Sequence, residues 1–293
     1  MLRKIKKIKS EFLGINNRNV GYVFPSNPRK NYKLADDKVL AKELMTEKGI
    51  NCAETYAVID KIGEIPTIWK SLQHLNKLAI KPANGSGGDG ILILVKNEHN
   101  QWVNKNNILK EDDIYLFLAN IIMGVYSLGS SDKVLIEECL IPHPFFHSIY
   151  PAGVADFRVI VYKGELALGM LRVPTKRSNG KANLHQGGLG IGVDLNSGLM
   201  TQGYNGKEYF DKHPDSNAQI KGIKIPYWDE ILNLSLKTAQ YFPLEYLGVD
   251  IVIDENKGPI VMEVNVRPGL GIQMVNKKGL KPILEQIDKN KAA

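Results

Sequence analysis

The chain has 293 residues, of which 43% are hydrophobic and 24% are charged, the composition of a soluble globular protein. No apolar run approaches the length of a membrane span, and the N-terminus lacks the apolar core of a signal peptide, so the sequence predicts neither. The net charge of +7 suits a polyphosphate ligand, and two isolated cysteines, Cys52 and Cys139, predict a reducing, cytoplasmic location.

Basic residues crowd positions 3–9, with Leu2, Ile5, Ile8 and Phe12 interleaved at helical spacing. Such a helix either lies on anionic lipid or nucleic acid, or docks on the protein with a solvated lysine face. The second interpretation is favoured. Peripheral membrane contact through this helix is therefore left open as the less favoured interpretation, and no specific nucleic-acid partner is expected.

Hydrophobic periodicity predicts a mixture of helices and strands along the rest of the chain. Predicted helices cover residues 36–48, 65–75, 109–126, 228–242 and 281–287. Predicted strands cover residues 19–26, 55–59, 78–81, 91–95, 134–138, 156–163, 165–173, 247–253 and 259–266. Since regular βαβ alternation is absent, the fold class is predicted to be α+β.

A glycine-rich loop over residues 84–90 follows Lys81 and lies between two predicted strands. Glycines let a hairpin loop present backbone N–H groups to phosphates, and Lys81 adds a positive charge. The candidate ligand-binding residues of this loop are Gly85, Ser86, Gly87, Gly88 and Gly90. It is neither a Walker A motif nor a dinucleotide fingerprint, and taken alone it is better explained as a plain flexible turn.

Further candidates for nucleotide binding come from three other segments. Lys38 begins a predicted helix, where an exposed lysine is the plainer interpretation. The apolar strand that ends in Glu137, Glu138, Cys139 and Leu140 can offer backbone groups and a carboxylate to adenine, or simply be a solvated strand end. Asp156 is the candidate for a contact with ribose.

A predicted hairpin near the C-terminus carries the strongest signal. Strand alternation places Glu263 and Asn265 on one face, and pairing across the turn brings Asp250 opposite them. Two carboxylates and an amide oxygen are hard ligands that suit Mg²⁺ shared with nucleotide phosphates. The hairpin therefore predicts phosphoryl chemistry.

Taken together, these segments resemble the ATP-grasp superfamily. The matching pieces are Asp37-Lys38-x-x-x-Lys42, Ile80-Lys81-Pro82 with its glycine loop, Leu135-Ile136-Glu137-Glu138-Cys139-Leu140, and Asp250 with Glu263-Val264-Asn265. They occur in the superfamily's order and span residues 36–271. The resemblance implies an α+β ATP-grasp fold in which two lobes clamp ATP.

Within the superfamily, Asn183-Leu184-His185-Gln186-Gly187-Gly188 is similar to a segment of RimK-type glutamate ligases, and Asp156-Phe157-Arg158 is similar to their Asp-Ile-Arg. Residues 13–19 look like the alpha-L-glutamate ligase-like branch. The family's arginine before this segment is Lys181 here, which offers a point charge in place of a bidentate fork.

The resemblance also implies a domain organisation. Residues 36–289 would form the ATP-grasp domain, with 78–140 as the lid that clamps the nucleotide and 141–289 as the magnesium-binding, catalytic part. Residues 1–35 would be a short basic remnant of the region that precedes the ATP-grasp domain in RimK-like enzymes. Because that region helps to bind the acceptor in those enzymes, its near absence implies an acceptor that is bulky, peptidic or delivered by a partner.

The implied activity is an ADP-forming carboxylate–amine ligase that forms an amide through an acyl phosphate, adding an amino acid such as glutamate to a peptide or protein. The implied cofactors are ATP and one or two Mg²⁺ ions, with Mn²⁺ as an alternative, held by Asp250, Glu263 and Asn265. Lys38 and Lys81 would neutralise the phosphates.

Arg158, Arg172 and Asn183 are the catalytic candidates, for the transferring phosphoryl group and the substrate carboxylate. For Arg158, a structural ion pair is weighed equally. A kinase built on the same fold and a non-catalytic nucleotide-binding adaptor are the alternative functions, and homo-oligomerisation is left open.

Overall fold

The computed structural model describes residues 10–85 and 87–292. Its contacts divide the chain into two compact units. The larger unit comprises Met1–Asp36, Leu44–Asn51 and Ile141–Ala293, and the smaller unit comprises Asp37–Glu43 and Cys52–Leu140. The basic segment 3–9 lies outside the described residues.

An antiparallel sheet of six strands, in the order β1-β6-β2-β3-β4-β5, forms the smaller unit. The strands are β1 (Thr55–Ile59), β2 (Lys77–Pro82), β3 (Leu92–Lys96), β4 (Trp102–Asn104), β5 (Asn107–Ile108) and β6 (Val134–Glu137). Leu78 and Ile80 pack with Trp69 and Leu118 of two helices in one hydrophobic core. Because side chains alternate along a strand, Lys77, Ala79 and Lys81 share the opposite face.

The larger unit contains an antiparallel sheet of seven strands, in the order β11-β10-β9-β8-β7-β12-β13. The strands are β7 (Asp156–Tyr162), β8 (Glu165–Val173), β9 (Leu189–Val193), β10 (Met200–Tyr204), β11 (Tyr209–Phe210), β12 (Tyr246–Asp254) and β13 (Gly258–Asn265). Every residue of β12 is buried, which places this strand in the centre of the core.

The helices pack against these sheets. In chain order they are α1 (Ile15–Arg18), α2 (Asn19–Val23, π-helical), α3 (Phe24–Ser26), α4 (Lys33–Asp36), α5 (Lys38–Glu47), α6 (Ile65–Ser71), α7 (Glu111–Ile122), α8 (Pro144–Ile149), α9 (Trp228–Tyr241), α10 (Gly271–Asn276) and α11 (Lys281–Ala292). In α7, Ile114, Leu118 and Ile121 recur at helical spacing and are buried, which is why this helix covers the core face of the smaller sheet. Among the described residues, no helix combines the length and hydropathy needed to cross a bilayer.

The strand expected over residues 19–26 is wrong, because this stretch is helical. Tyr22 and Val23 are buried next to each other while Val20 and Phe24 are exposed, so burial does not follow the alternation of a strand. Asn27, directly after the helix, exchanges two hydrogen bonds with the backbone of Tyr246 (2.6 and 2.9 Å). The side-chain amide of Asn27 thus hydrogen-bonds to the backbone of β12, directly after the stretch that had been expected to be a strand.

The other predicted helices and strands are present, with ends that differ by a few residues. The hairpin of β7 and β8 and the hairpin of β12 and β13 form as predicted. The sequence did not indicate β4, β5, β9 to β11, α8 or α10, which are short or rich in glycine. The prediction of an α+β fold is confirmed.

Candidate functional site

One face of the larger sheet gathers most of the predicted catalytic and metal-binding side chains. Asp156 lies opposite Arg172 in the pairing of β7 with β8, and Arg158 lies opposite Asp250 in the pairing of β7 with β12. Asp250 in turn lies opposite Glu263 of β13. Directly paired residues of antiparallel strands point to the same side, so these side chains share a face.

Two arginines hold the carboxylate of Asp250 on this face. Arg158 donates through Nε to Oδ1 (2.8 Å) and through Nη2 to Oδ2 (2.6 Å), a bidentate contact. Arg172 donates through Nη2 to Oδ2 of Asp250 (2.8 Å) and through Nε to Asp156 (2.6 Å). Asn265 adds a hydrogen bond from Nδ2 to the same Oδ2 (3.1 Å). The ion pair considered for Arg158 is therefore present, and Arg172 bridges two acids.

The two bridged carboxylates have opposite pKa shifts. Burial acts to raise the pKa of Asp250, but the charges and hydrogen bonds of Arg158 and Arg172 outweigh it and lower the pKa to about 2. Burial raises the pKa of Asp156 to about 6; Arg172 offsets part of this rise, and the neighbouring charge of Asp250 adds to it. Burial acts to lower the pKa of Arg172, but the charges and hydrogen bonds of Asp156 and Asp250 outweigh it and raise the pKa. Asp156 is thus the acid of the cluster that changes charge closest to neutral pH.

This difference predicts a pH dependence of folding. Asp156 keeps its proton to a higher pH in the folded protein than its usual pKa of 3.8 would allow. The folded state therefore binds more protons than the unfolded state across that window, and stability falls as the pH rises from about 4 to about 6. Asp250 acts in the opposite sense, because its stabilisation is lost as the pH drops from 3.8 towards about 2.

Urea unfolding at about pH 4.5 and about pH 7 measures the effect. We expect wild type to lose more stability between the two pH values than Asp156→Asn, which cannot titrate at this position. Equal losses in the two proteins would show that Asp156 does not titrate in this range.

The side chains proposed as metal ligands differ in their surroundings. Among the described residues, no hydrogen bond or ion pair engages the half-buried carboxylate of Glu263. The amide of Asn265 turns its Nδ2 towards Asp250, which leaves its Oδ1 to face another ligand. Oδ1 of Asp250 accepts one hydrogen bond and retains a lone pair. The set of oxygens suits Mg²⁺, although no group of three or more His, Cys, Asp or Glu side chains forms a metal site in the described part of the chain.

The segment similar to glutamate ligases forms a tight turn. Asn183 accepts a hydrogen bond from the backbone N–H of His185 at its side-chain oxygen (3.0 Å). A Cβ at Gly188 would lie 2.4 Å from the carbonyl oxygen of Ala182, so only glycine fits there. Asn183 thus caps the turn with its oxygen and keeps its Nδ2 donor for other partners.

A buried carboxylate organises the nucleotide-binding candidates of the smaller unit. Glu137 is 3% exposed, and its two oxygens form ion pairs with Lys81 and Lys42. Lys42 also donates to the carbonyl oxygen of Ala53 (2.6 Å). Burial acts to raise the pKa of Glu137, but the two lysines outweigh it and lower the pKa. Lys42 belongs to the matching piece Asp37-Lys38-x-x-x-Lys42, which predicts no particular role for it.

The glycine loop is fixed at its beginning. Asp132 accepts hydrogen bonds from the backbone N–H (3.1 Å) and the side-chain Nδ2 (2.8 Å) of Asn84, and from Ser127. Lys38 donates from Nζ to the carbonyl oxygen of Gly85 (2.5 Å). Gly87, Gly88 and Gly90 have positive φ angles of 69°, 76° and 74°, which side-chain-bearing residues adopt rarely. Ser86 lies outside the described residues.

The end of β6 is also fixed by hydrogen bonds. The backbone N–H of Glu138 donates to the carbonyl oxygen of Glu54 (2.8 Å), and the backbone N–H of Glu54 donates to the Glu138 carboxylate (3.3 Å). Cys139 is half-buried, and burial raises the pKa of its thiol. The roles predicted for Glu138, Cys139 and Leu140 at adenine stay predictions.

The fold and these clusters together define an ATP-grasp protein. The chain belongs to the sugar-transfer associated ATP-grasp family, whose model matches residues 17–289. The resemblance to the superfamily is therefore confirmed.

Among curated proteins, the chain is 25% identical over 272 residues to a probable alpha-L-glutamate ligase of Pseudomonas savastanoi pv. phaseolicola, covering 92% of this chain and 68% of that protein. A probable alpha-L-glutamate ligase of Azotobacter vinelandii is 25% identical over 270 residues, with the same coverage. The predicted resemblance to alpha-L-glutamate ligases is thus confirmed as a similarity of sequence.

Solved structures agree with the fold. The ATP-grasp ligase PsnB, complexed with a phosphomimetic variant of its minimal precursor, Mg and ADP, matches with a TM-score of 0.51 and 13% identity, covering 91% of this chain and 62% of that chain. The D-alanine–D-alanine ligase of Bacillus anthracis matches with a TM-score of 0.50 and 16% identity, covering 87% and 67%. The chain thus spans about two thirds of the length of these proteins, and the likeness concerns the fold.

Proposed function

We propose that this protein is an ATP-dependent carboxylate–amine ligase that forms ADP and an amide through an acyl phosphate. One observation carries the proposal: strand register places Arg158, Arg172, Asp250, Glu263 and Asn265 on the same face of one sheet. Such a face offers cationic donors for a transferring phosphoryl group next to oxygen ligands for a divalent cation.

In this proposal Glu263, Asn265 and Asp250 hold Mg²⁺, which supplies charge neutralisation at the phosphate oxygens when bound. Arg158 and Arg172 fix the Asp250 carboxylate, so its orientation does not depend on the cation. The formal charges on this face are two arginines against Asp156, Asp250 and Glu263, which leaves a net negative charge that favours a cation.

The arginines also face the substrate. Nε and Nη2 of Arg158 are committed to Asp250, which leaves Nη1 as its free donor within the described part of the chain. A Cβ at Gly269 would lie 3.9 Å from this Nη1 and 3.9 Å from Nε2 of His185. The absent side chain at Gly269 leaves space beside the Nη1 donor of Arg158 and a ring nitrogen of His185, which suits a substrate carboxylate or the phosphoryl group it receives.

The smaller unit would supply groups that hold the nucleotide. The side chain of Lys81 is 12% exposed while its ammonium group pairs with Glu137, and the glycine loop presents backbone N–H groups. Lys38 fixes the start of this loop through Gly85. These groups would position the phosphates of the nucleotide.

For the acceptor, we propose a peptide or protein carboxylate to which an amino acid such as glutamate is added. The support comes from the relatives named as alpha-L-glutamate ligases and from PsnB, which was solved with a phosphomimetic variant of its minimal precursor. The chemistry requires that the carboxylate attacks the γ-phosphate, ADP leaves, and the amine then displaces phosphate.

The test is a reaction that contains the full chain, ATP, MgCl₂, the twenty amino acids and a peptide extract. We expect ADP and inorganic phosphate to appear only when both amine and carboxylate are present, together with products heavier by one amino-acid residue in mass spectrometry. Phosphate retained on the acceptor would indicate a kinase, and nucleotide binding without turnover would indicate an adaptor; either result contradicts the proposal.

A further inference from the structure

Lys42 is the lysine of the smaller unit that has the least access to a ligand. It lies in α5 with a side chain that is 6% exposed, and its ammonium group pairs with Glu137 and donates to the carbonyl oxygen of Ala53. Lys81 reaches the same carboxylate from β2 with a side chain that is 12% exposed. Of the two lysines, Lys81 is therefore the one that can meet a phosphate.

The charges of this cluster do not cancel. Glu137 contributes one negative charge and is almost fully buried between the two lysines. If only Lys81 faced it, the pair would be neutral and would attract a polyphosphate weakly. With Lys42 included, the cluster carries one net positive charge, and Lys81 is the group that can offer this charge to a ligand.

We infer that Lys42 is a positioning residue that neutralises Glu137, so that the charge of Lys81 remains available to the phosphates of a bound nucleotide. This inference rests on the proposed ATP-dependent function and deepens it. It assigns Glu137 to holding Lys81 in place, in contrast to a direct contact between its carboxylate and adenine. Lys42 acts only through its neighbours and touches no ligand.

Isothermal titration calorimetry of the full chain with ADP in the presence of MgCl₂ tests the inference. Lys42→Met should weaken binding about tenfold, the equivalent of about 1.4 kcal/mol, because Glu137 then cancels Lys81. Lys42→Met combined with Glu137→Gln removes both charges but keeps a side-chain oxygen that accepts a hydrogen bond from Lys81, so the affinity should return to within about threefold of wild type. Lys70→Met removes an exposed lysine from α6 and should leave the affinity unchanged.

Recovery of MgADP affinity in the double variant distinguishes neutralisation of Glu137 by Lys42 from a purely structural role of this lysine. A defect caused by losing the hydrogen bond to Ala53 would persist in the double variant, and so would the loss of an adenine contact by Glu137. A folded double variant that binds MgADP as weakly as Lys42→Met, or a Lys42→Met variant that binds as well as wild type, would overturn the inference.

Failure of the inference about Lys42 can be distinguished from failure of the proposed function. If Lys42→Met does not fold, the double variant alone decides, since affinity about tenfold below wild type contradicts the inference. If wild type itself does not bind MgADP, the proposed function fails and the inference fails with it. Wild-type binding with an unaffected Lys42→Met variant removes the inference alone.

Discussion

Arg172→Met is expected to lower the free energy of unfolding by about 3–5 kcal/mol, because it removes the cation that two buried carboxylates share. Asp250 keeps its bidentate contact with Arg158, but Asp156 loses its ion-pair partner. ADP formation should fall by about 10²–10³-fold, the usual effect of removing a group that stabilises charge in a transition state. Urea unfolding and an ADP assay with the acceptor found in the peptide screen measure the two effects.

A second substitution separates stability from catalysis at this position. Adding Asp156→Asn to Arg172→Met removes the stranded carboxylate, so part of the lost stability should return while ADP formation stays low. Arg29→Met is the matched control, since Arg29 is exposed and lies outside the cluster. Wild-type stability together with wild-type ADP formation in Arg172→Met would rule out both roles of this arginine.

The hairpin of β12 and β13 was predictable because its information is local. Strand alternation and a short turn suffice to place Asp250 opposite Glu263, and the observed register has them paired. The same holds for β7 and β8, which join through the turn at Lys163 and Gly164. Local sequence therefore determines the register within each hairpin, but it does not determine which strands lie beside that hairpin in the sheet.

The contacts of Asp250 were not predictable in the same way. Arg158 lies 92 residues before Asp250, and the two meet because β7 pairs with β12 in the assembled sheet. Local periodicity does not determine strand order, so the sequence could offer Arg158 equally as a catalytic group or as an ion-pair partner. The structure adds that one guanidinium can serve in both ways, since its Nη1 remains free of Asp250.

The burial of charged residues was also not predictable from the sequence. Lys42 has no predicted role in the sequence, and Glu137 is equally consistent there with a solvated strand end. Each is buried because the other compensates its charge, which is a property of the pair. Similarly, Asp132 gave no local signal, although it fixes the beginning of the glycine loop.

Glu263→Gln is expected to lower Mg²⁺-dependent ADP formation by at least about 10²-fold, because a neutral amide is a much poorer ligand for a hard dication than a carboxylate. The fold should tolerate the change, since no described residue forms an ion pair with Glu263. We expect the free energy of unfolding to stay within about 0.5 kcal/mol of wild type. ADP assays over a titration of MgCl₂, together with urea unfolding, give both quantities.

Glu255→Gln is the control for this prediction, because it removes a carboxylate from the exposed turn of the same hairpin and should behave as wild type. A Glu263→Gln variant whose activity recovers at high MgCl₂ would mean that the glutamate raises metal affinity without being required for turnover. Full activity at every MgCl₂ concentration would remove Glu263 as a metal ligand. The arginines would then be left as the main source of charge stabilisation on this face, and the proposed ligase chemistry would need a different site for its cation.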